Sequence, residues 1–496
     1  MRRVVAAVLL AAAWSAAAAA QTRPNVVLIL ADDLGYGDVG AFNPGGRIPT
    51  PHLDRLAREG LRLTDAHTPS AVCTPTRYGL LTGRYPWRTR LPRGVLWGNG
   101  DALIEPNRTT IASLLRDAGY HTAGIGKWHL GLRWAATPGT TPDRTTNNEK
   151  APVDWIDYRG RITDGPTHHG FAEFFGLPAS LDMRDYVYID GDRVPEPPTT
   201  TLAGEPSTIP GFYRPGRAGA TFRPERVLGD LTSRAVRYVR EHAAGRQPFF
   251  LYLALASPHT PVLPTAAFAG RTGLGPYADF VAETDASIGE VLQALEQTGA
   301  AKNTLVLFAS DNGPAPIAGM IESLRAKGHD PAGGWRGAKQ DLYEGGHRVP
   351  LIVKWPGVVA PGATSRALVS LVDVLATIAD VVGRPLLDAG EDSISFLPLL
   401  RQPATAVERR GAVVVQSGNG SLAIREGRWK LCMAPGSGGL SAPVPGSADE
   451  RGLPPVQLFD LEADPSEKTN LQSAHPETVR RLTALLETYR KTGRSR

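Results

Sequence analysis

Asn25-Val26-Val27-Leu28-Ile29-Leu30, followed after Ala31 by the acidic pair Asp32-Asp33, is the stretch from which the fold is read. Five of its six residues are apolar, with no polar alternation, as in a strand buried on both faces of a parallel sheet. Thr50-Pro51 then starts a helix with Leu53, Leu56 and Ala57 on one face, and Gly60 closes it. Working outward, the same unit recurs. A helix over 110–118 feeds a strand at 121–125, a helix near 224–242 precedes a strand at 249–254, and a helix at 277–297 precedes a strand at 304–309. Residues 351–354 add another strand. Such alternation predicts an α/β fold with a mostly parallel central sheet flanked by helices.

Further on the pattern changes. A helix around 369–382 is followed by short strands at 413–415, 421–424, 429–432 and 457–460, as in a small antiparallel sheet. A last helix follows Pro476, with Val479, Leu482, Leu485, Leu486 and Tyr489 at helical spacing. The expected division is a leader over 1–20, a large α/β domain over 21–405, and a small α+β subdomain over 406–496.

The 496 residues support a large core, and 42% hydrophobic with 21% charged content is that of an ordinary globular protein. A net charge of +5 with no block of like charges gives no reason to expect a nucleic-acid partner. Arg2 and Arg3, an apolar run over 4–14, and Ala18-Ala19-Ala20 before Gln21 read as a secretory signal. The apolar run is too short and Ala-rich for a stable membrane anchor. Export to a bacterial periplasm or medium is the expectation. Cys73 and Cys432 are the two cysteines; a bridge between them would consume the more interesting one.

In open α/β sheets ligands gather beyond the carboxyl ends of the strands. Asp32 and Asp33 follow the first strand, Lys127 and His129 follow the strand at 121–125, His259 follows that at 249–254, and Asp311 and Asn312 follow that at 304–309. Asp32, Asp33, Asp311 and Asn312 are hard oxygen donors, which suit Ca²⁺ first and Mg²⁺ second. Each alone reads equally well as a cap or a turn; four strand ends together do not.

Cys73-Thr74-Pro75-Thr76-Arg77 leads into Tyr78-Gly79-Leu80-Leu81-Thr82-Gly83-Arg84. Thr74 as N-cap and Pro75 at the first helical position would set Cys73 just ahead of a helix N-terminus, with Arg77 in the first turn. This stretch resembles the signature of the type I, arylsulfatase-like sulfatases of the alkaline phosphatase superfamily. Gly126-Lys127-Trp128-His129-Leu130-Gly131, Ser257-Pro258-His259-Thr260-Pro261, Lys339 within RGAKQDLYEGGHRVP, and the C-terminal LFDLEADPSEKTNL resemble further family elements.

The resemblance implies a sulfuric ester hydrolase with an alkaline-phosphatase-like domain. It implies that Cys73 is oxidised to formylglycine by a formylglycine-generating enzyme, and that Asp32, Asp33, Asp311, Asn312 and residue 73 hold one divalent cation. Arg77 and the cation would stabilise the hydrated aldehyde, while Lys127, Lys339 and His259 would bind the sulfate, with Ser180 as a looser match. His259 is expected to protonate the leaving group and His129 to act as base in the second step. Glu344, His347 and Arg348 are expected to shape their loop. Sulfated carbohydrates and aryl sulfates are the expected substrates, with Trp87, Arg88, Arg90, Trp97, Trp134, Arg184 and Tyr186 as candidate pocket residues. Two other readings stay open: a phosphodiesterase or phosphonate monoester hydrolase of the same superfold, and a glycan-binding relative without catalysis.

Overall fold

The computed structural model describes residues 23–404 and 410–496, so the expected leader and the boundary at 405 lie outside the described residues. The central sheet has nine strands: β1 (Asn25–Asp32), β2 (Leu61–Leu63), β3 (His121–Lys127), β4 (Glu173–Leu177), β5 (Ile189–Asp190), β6 (Phe249–Pro258), β7 (Thr304–Ser310), β8 (Leu351–Lys354) and β9 (Ala363–Ser365). Their spatial order is β9-β2-β8-β7-β1-β6-β3-β4-β5. β7, β1, β6, β3 and β4 run parallel, whereas β8 is antiparallel to both β7 and β2, and β5 is antiparallel to β4.

The apolar run of β1 divides between two layers because successive strand residues face opposite ways. Val26, Leu28 and Leu30 pack with Tyr78, Leu115 and Ile378, from helices α2 (Cys73–Thr82), α3 (Ile111–Asp117) and α7 (Asp373–Val382). Val27, Ile29 and Ala31 pack with Leu53, Leu231 and Val291, from α1 (Pro51–Arg58), α4 (Val227–Ala243) and α5 (Pro276–Gln297). Helices therefore cover both faces. That is the expected architecture.

One expectation is corrected: the helix at 369–382 begins at Asp373, because Val369–Ser370 instead pairs with Ala66–His67. Four strands of the sheet carried no expectation. β4 and β5 come from the stretch between the strands read at 121–125 and 249–254, and β2 and β9, three residues each, are too short to signal as strands.

After residue 410, β10 (Ala412–Gln416), β11 (Leu422–Glu426), β12 (Trp429–Cys432) and β13 (Gln457–Asp460) form an antiparallel meander. Helix α8 (Pro476–Thr492) lays Leu482 and Leu486 against Ile424, Leu431 and Leu458, and Tyr85 and Val372 of the larger part join that cluster. No helix among the described residues is long and apolar enough to cross a membrane.

Candidate active site

The strand ends named from the sequence converge. Asp32 is the last residue of β1, Lys127 the last of β3, His259 follows β6, and Asp311 and Asn312 follow β7. Consecutive strand residues point to opposite faces, yet Asp32 and Asp33 both reach the site. Asp33 has φ +63°, which turns the chain, and Tyr277 donates to its carbonyl at 3.1 Å. Gly126 serves β3 in a similar way: its φ is +119°, and a Cβ there would stand 1.8 Å from the carbonyl oxygen of Ala254.

A closed charge array results. Lys127 Nζ donates to Asp32 Oδ2 at 2.5 Å and to Ser180 Oγ at 3.1 Å. Arg77 donates through Nε and Nη2 to Asp311 Oδ2, at 3.1 and 2.8 Å, and through Nη1 to the carbonyl of Lys127 at 2.9 Å. Lys339 Nζ lies 2.7 and 2.9 Å from the two oxygens of Asp33, and Asn312 Nδ2 donates to Asp33 Oδ1 at 2.7 Å. Arg77, Lys127, Asp32, Asp311 and Asn312 are fully buried. Asp32, Asp33, Arg77, Lys127, Ser180, Asp311, Asn312 and Lys339 are thus brought together.

Burying three carboxylates together is costly unless positive charge compensates. Burial and then the charge of Asp32 push Asp311 up to about 7. Burial acts the same way on Asp32, but Lys127, His259, Arg77 and Lys339 hold it well below the usual carboxylate range. Among the described residues, Asp32 Oδ1 and Asn312 Oδ1 are buried without a hydrogen-bond partner. Single ligand atoms of Asp32, Asp33, Cys73 and His259 all lie within 4.8 Å of one another. Unpartnered buried oxygens beside converging carboxylates fit a hard divalent cation.

Both cysteines are free thiols, so no bridge joins Cys73 to Cys432. Burial pushes the Cys73 thiol up to about 12. The expected helix start is corrected: α2 begins at Cys73 itself, with Val72 as N-cap and no side-chain cap. Thr74 is engaged elsewhere. Its Oγ1 donates to the carbonyl of His129 at 2.9 Å and accepts the Leu96 N–H at 3.1 Å, binding the Cys73 helix to the GKWHLG loop.

The backbone fixes a tautomer on each histidine. His129 Nε2 lies 2.8 Å from the carbonyl of Leu96, which can only accept, so Nε2 carries the hydrogen. Nδ1 is then a lone pair, buried and without a partner among the described residues. Burial, followed by Lys127 and Arg77, holds His129 well below the usual imidazole value. His259 Nδ1 donates to the carbonyl of Thr260 at 2.6 Å, which leaves Nε2 facing the site 3.6 Å from Asp33 Oδ2.

Tyr252, on β6 and close to Arg77, escaped sequence reading because it sits inside an apolar run; its hydroxyl is buried. Several expected pocket residues are structural instead. Trp87 packs in the C-terminal cluster, Arg88 clasps Asp392 at 2.9 and 3.0 Å, and Trp134 and Tyr186 are buried with their polar atoms on the carbonyls of Gly98 and Arg214. Arg90 bonds the carbonyls of Asp101 and Ala102, and Arg184 that of Ala151. Trp97 is half-buried and carries Arg214 over its ring at 4.8 Å, and Arg214 in turn holds Asp182 at 2.6 Å.

Glu344 and His347 shape their loop as expected, but through a buried ion cluster. Lys430 Nζ of β12 lies 3.0 Å from Glu344 Oε1 and 2.8 Å from Glu467 Oε1; Arg348 also holds Glu344, at 3.0 Å. The loop backs the segment that carries Asp311 and Asn312, since Gly313 donates to the carbonyl of Gly346 at 2.9 Å.

Comparison with known proteins places this arrangement. The Sulfatase family model matches residues 24–384. An N-acetylgalactosamine-6-O-sulfatase from Bacteroides thetaiotaomicron is 34% identical over 94% of this chain and 93% of its own length. Arylsulfatase A from Homo sapiens is 33% identical over 95% and 89%. A solved Bacteroides thetaiotaomicron sulfatase, described with the metabolism of glycosaminoglycans, superposes with a TM-score of 0.82 at 34% identity, covering 95% of this chain and 100% of that one. A phosphonate monoester hydrolase from Agrobacterium radiobacter shares the fold at a TM-score of 0.58 and 20% identity, covering 95% and 96%.

Proposed function

The chain belongs to the sulfatase family and hydrolyses sulfate esters, and from that premise we propose how it does so and on what. The nucleophile is formylglycine made from Cys73, the cation is Ca²⁺, and the substrate is a 6-sulfated N-acetylhexosamine of a sulfated glycan. One observation carries the first point: the ligand atom of residue 73 lies within 4.8 Å of those of Asp32, Asp33 and His259, among hard oxygen donors where an oxygen nucleophile fits and a buried thiol, whose pKa burial raises, does not. An aldehyde hydrate would supply one oxygen to attack sulfur and a second hydroxyl from which sulfate is expelled. Asp32, Asp33, Asp311 and Asn312 would hold the cation, which would polarise the reacting oxygens.

The side chains supply the rest. Lys127 and Lys339 neutralise the sulfate oxygens, and Ser180 orients them beside Lys127. Arg77, locked on Asp311 and the carbonyl of Lys127, keeps the helix start and the ligands in register. His259 offers Nε2 to the leaving oxygen as general acid. His129 offers its unpartnered Nδ1 as base for the hydroxyl at position 73, since Nε2 is committed to Leu96.

The amino-sugar assignment is supported by the 34% identical N-acetylgalactosamine-6-O-sulfatase. The phosphonate hydrolase likeness, at 20% identity, supports only a common fold. Export, maturation by a formylglycine-generating enzyme, and the two-part division at 405 belong to the same proposal. The test is the mass of the tryptic peptide 63–77 together with hydrolysis of N-acetylgalactosamine 6-sulfate. Aldehyde in place of thiol, with release of sulfate, is expected. Active protein whose Cys73 is wholly unmodified would overturn it.

A further inference from the structure

A cleft of about 700 Å³ is lined by none of the residues assigned to catalysis above. Five arginines, Arg62, Arg348, Arg366, Arg425 and Arg428, line it against two carboxylates, Asp65 and Glu462. Four of the arginines are already engaged: Arg62 bonds Thr364 and the carbonyl of Ala41, Arg428 pairs with Asp460 and Glu462, and the other two are pre-set on one carboxylate. Arg348 and Arg425 both bond Asp65, at 3.0 and 2.7 Å, and Arg348 lies 4.0 Å over the ring of Trp335. Tyr36 meets Trp335 edge-on at 6.3 Å, extending an aromatic wall. Trp335 Nε1 is buried without a hydrogen-bond partner among the described residues. Arg366 is exposed, and neither a hydrogen bond nor an ion pair engages it among the described residues.

The topology sets this cleft on the same edge of the sheet as the reacting groups. β2 and β9 run parallel to each other; β2 and β7 are both antiparallel to β8, and β7 is parallel to β1. The carboxyl ends of β2 and β9, which carry Asp65 and Arg366 just beyond them, therefore face the same way as that of β1, which carries Asp32. Three strand steps separate β1 from β2 in the order β1-β7-β8-β2, on the order of 15 Å at the usual spacing.

Guanidinium groups match sulfate as they match other oxyanions, through paired N–H donors with a charge that does not titrate away. An aromatic wall beside them gives the apolar face of a pyranose something to pack on. We propose that this cleft is a second binding site, for a sulfated polysaccharide chain whose reacting end lies at the catalytic centre. The inference rests on the glycan reading above. It makes the enzyme prefer chains over isolated sulfated sugars.

The test uses the full-length enzyme and a chondroitin 6-sulfate octasaccharide. Arg366→Glu touches nothing else and keeps the fold safe; Arg62→Gln/Arg366→Glu removes a second charge. The double variant is expected to bind the octasaccharide about tenfold more weakly by calorimetry. It should still hydrolyse 4-nitrocatechol sulfate at the wild-type kcat/KM. Unchanged octasaccharide binding, equal losses on both substrates, or equal competition by a single-stranded DNA of matched charge would overturn the proposal. Arg366-dependent binding in an enzyme that releases no sulfate from N-acetylgalactosamine 6-sulfate would uphold the cleft and remove the substrate assignment instead.

Discussion

Replacing Lys430 by methionine removes the ammonium shared by two buried carboxylates, Glu344 at 3.0 Å and Glu467 at 2.8 Å. The two are not equally exposed to the loss. Glu344 keeps Arg348 at 3.0 Å and Arg425 at 3.6 Å, so its share is about 2 kcal/mol, the scale of one charged hydrogen bond. Burial already raises Glu467 from 4.5 to about 7, and Lys430 is what opposes that rise. An acid whose pKa is higher folded than unfolded contributes stability that is full below the unfolded value and lost as pH rises through the folded one. In the wild type that window runs from 4.5 to about 7. Lys430→Met moves its upper limit upward, adding about 1.4 kcal/mol of deficit per pH unit gained. The expected loss is therefore about 2 kcal/mol near pH 6 and about 3–5 kcal/mol near pH 8.5. Urea unfolding at both pH values, followed by circular dichroism, measures it. Lys430→Met/Glu467→Gln should lose the pH dependence. Equal deficits at the two pH values in the single variant would refute the assignment of the raised acid to Glu467.

Other predictions concern the catalytic site. Exhaustive chelation should abolish sulfate release, with Ca²⁺ restoring it better than Zn²⁺, and Asp32→Asn should resist restoration at the same Ca²⁺ concentration. His259→Ala should slow sugar sulfates by about 10²–10⁴ and 4-nitrocatechol sulfate much less, because a good leaving group needs little proton donation; a uniform loss would remove His259 as the acid. Cys73→Ser should eliminate multiple turnover, whereas Cys432→Ala, in a thiol buried among Tyr343, Phe459 and Leu461, should cost stability and leave kcat intact. Steady-state assays on both variants decide this.

How far the sequence could be read depends on how local each signal was. β1 lies between two apolar layers, so its run is unbroken and the fold follows from it. β4 reads poorly because Gly176 interrupts its apolar run where it pairs with Gly126, the two backbones lying too close for any Cβ. The catalytic set was legible because its members sit in compact motifs at strand ends. Thr74-Pro75 has the pattern of a helix start, yet the Thr74 hydroxyl serves Leu96 and His129, so the capping reading missed by two residues. The ion cluster of Asp65, Glu344, Lys430 and Glu467 joins residues from dozens to hundreds of positions apart and has no local signal. Nor do the histidine tautomers, which depend on carbonyls of Leu96 and Thr260. Trp87 and Arg88 looked like pocket residues because loop aromatics and arginines suggest ligands, while their true partners lie near the C-terminus.

Cys73 is 1% exposed, walled in by the helix it begins and by the loop that Thr74 fastens to it. A second protein has no approach to that sulfur once the chain has closed over it. If Cys73 is matured as we propose, that chemistry belongs to the nascent chain and folding competes with it. A molecule that folded first would be sealed with its thiol. The active fraction of a preparation would then be set during synthesis, and slowing the folding of this segment would raise it where later treatment would not.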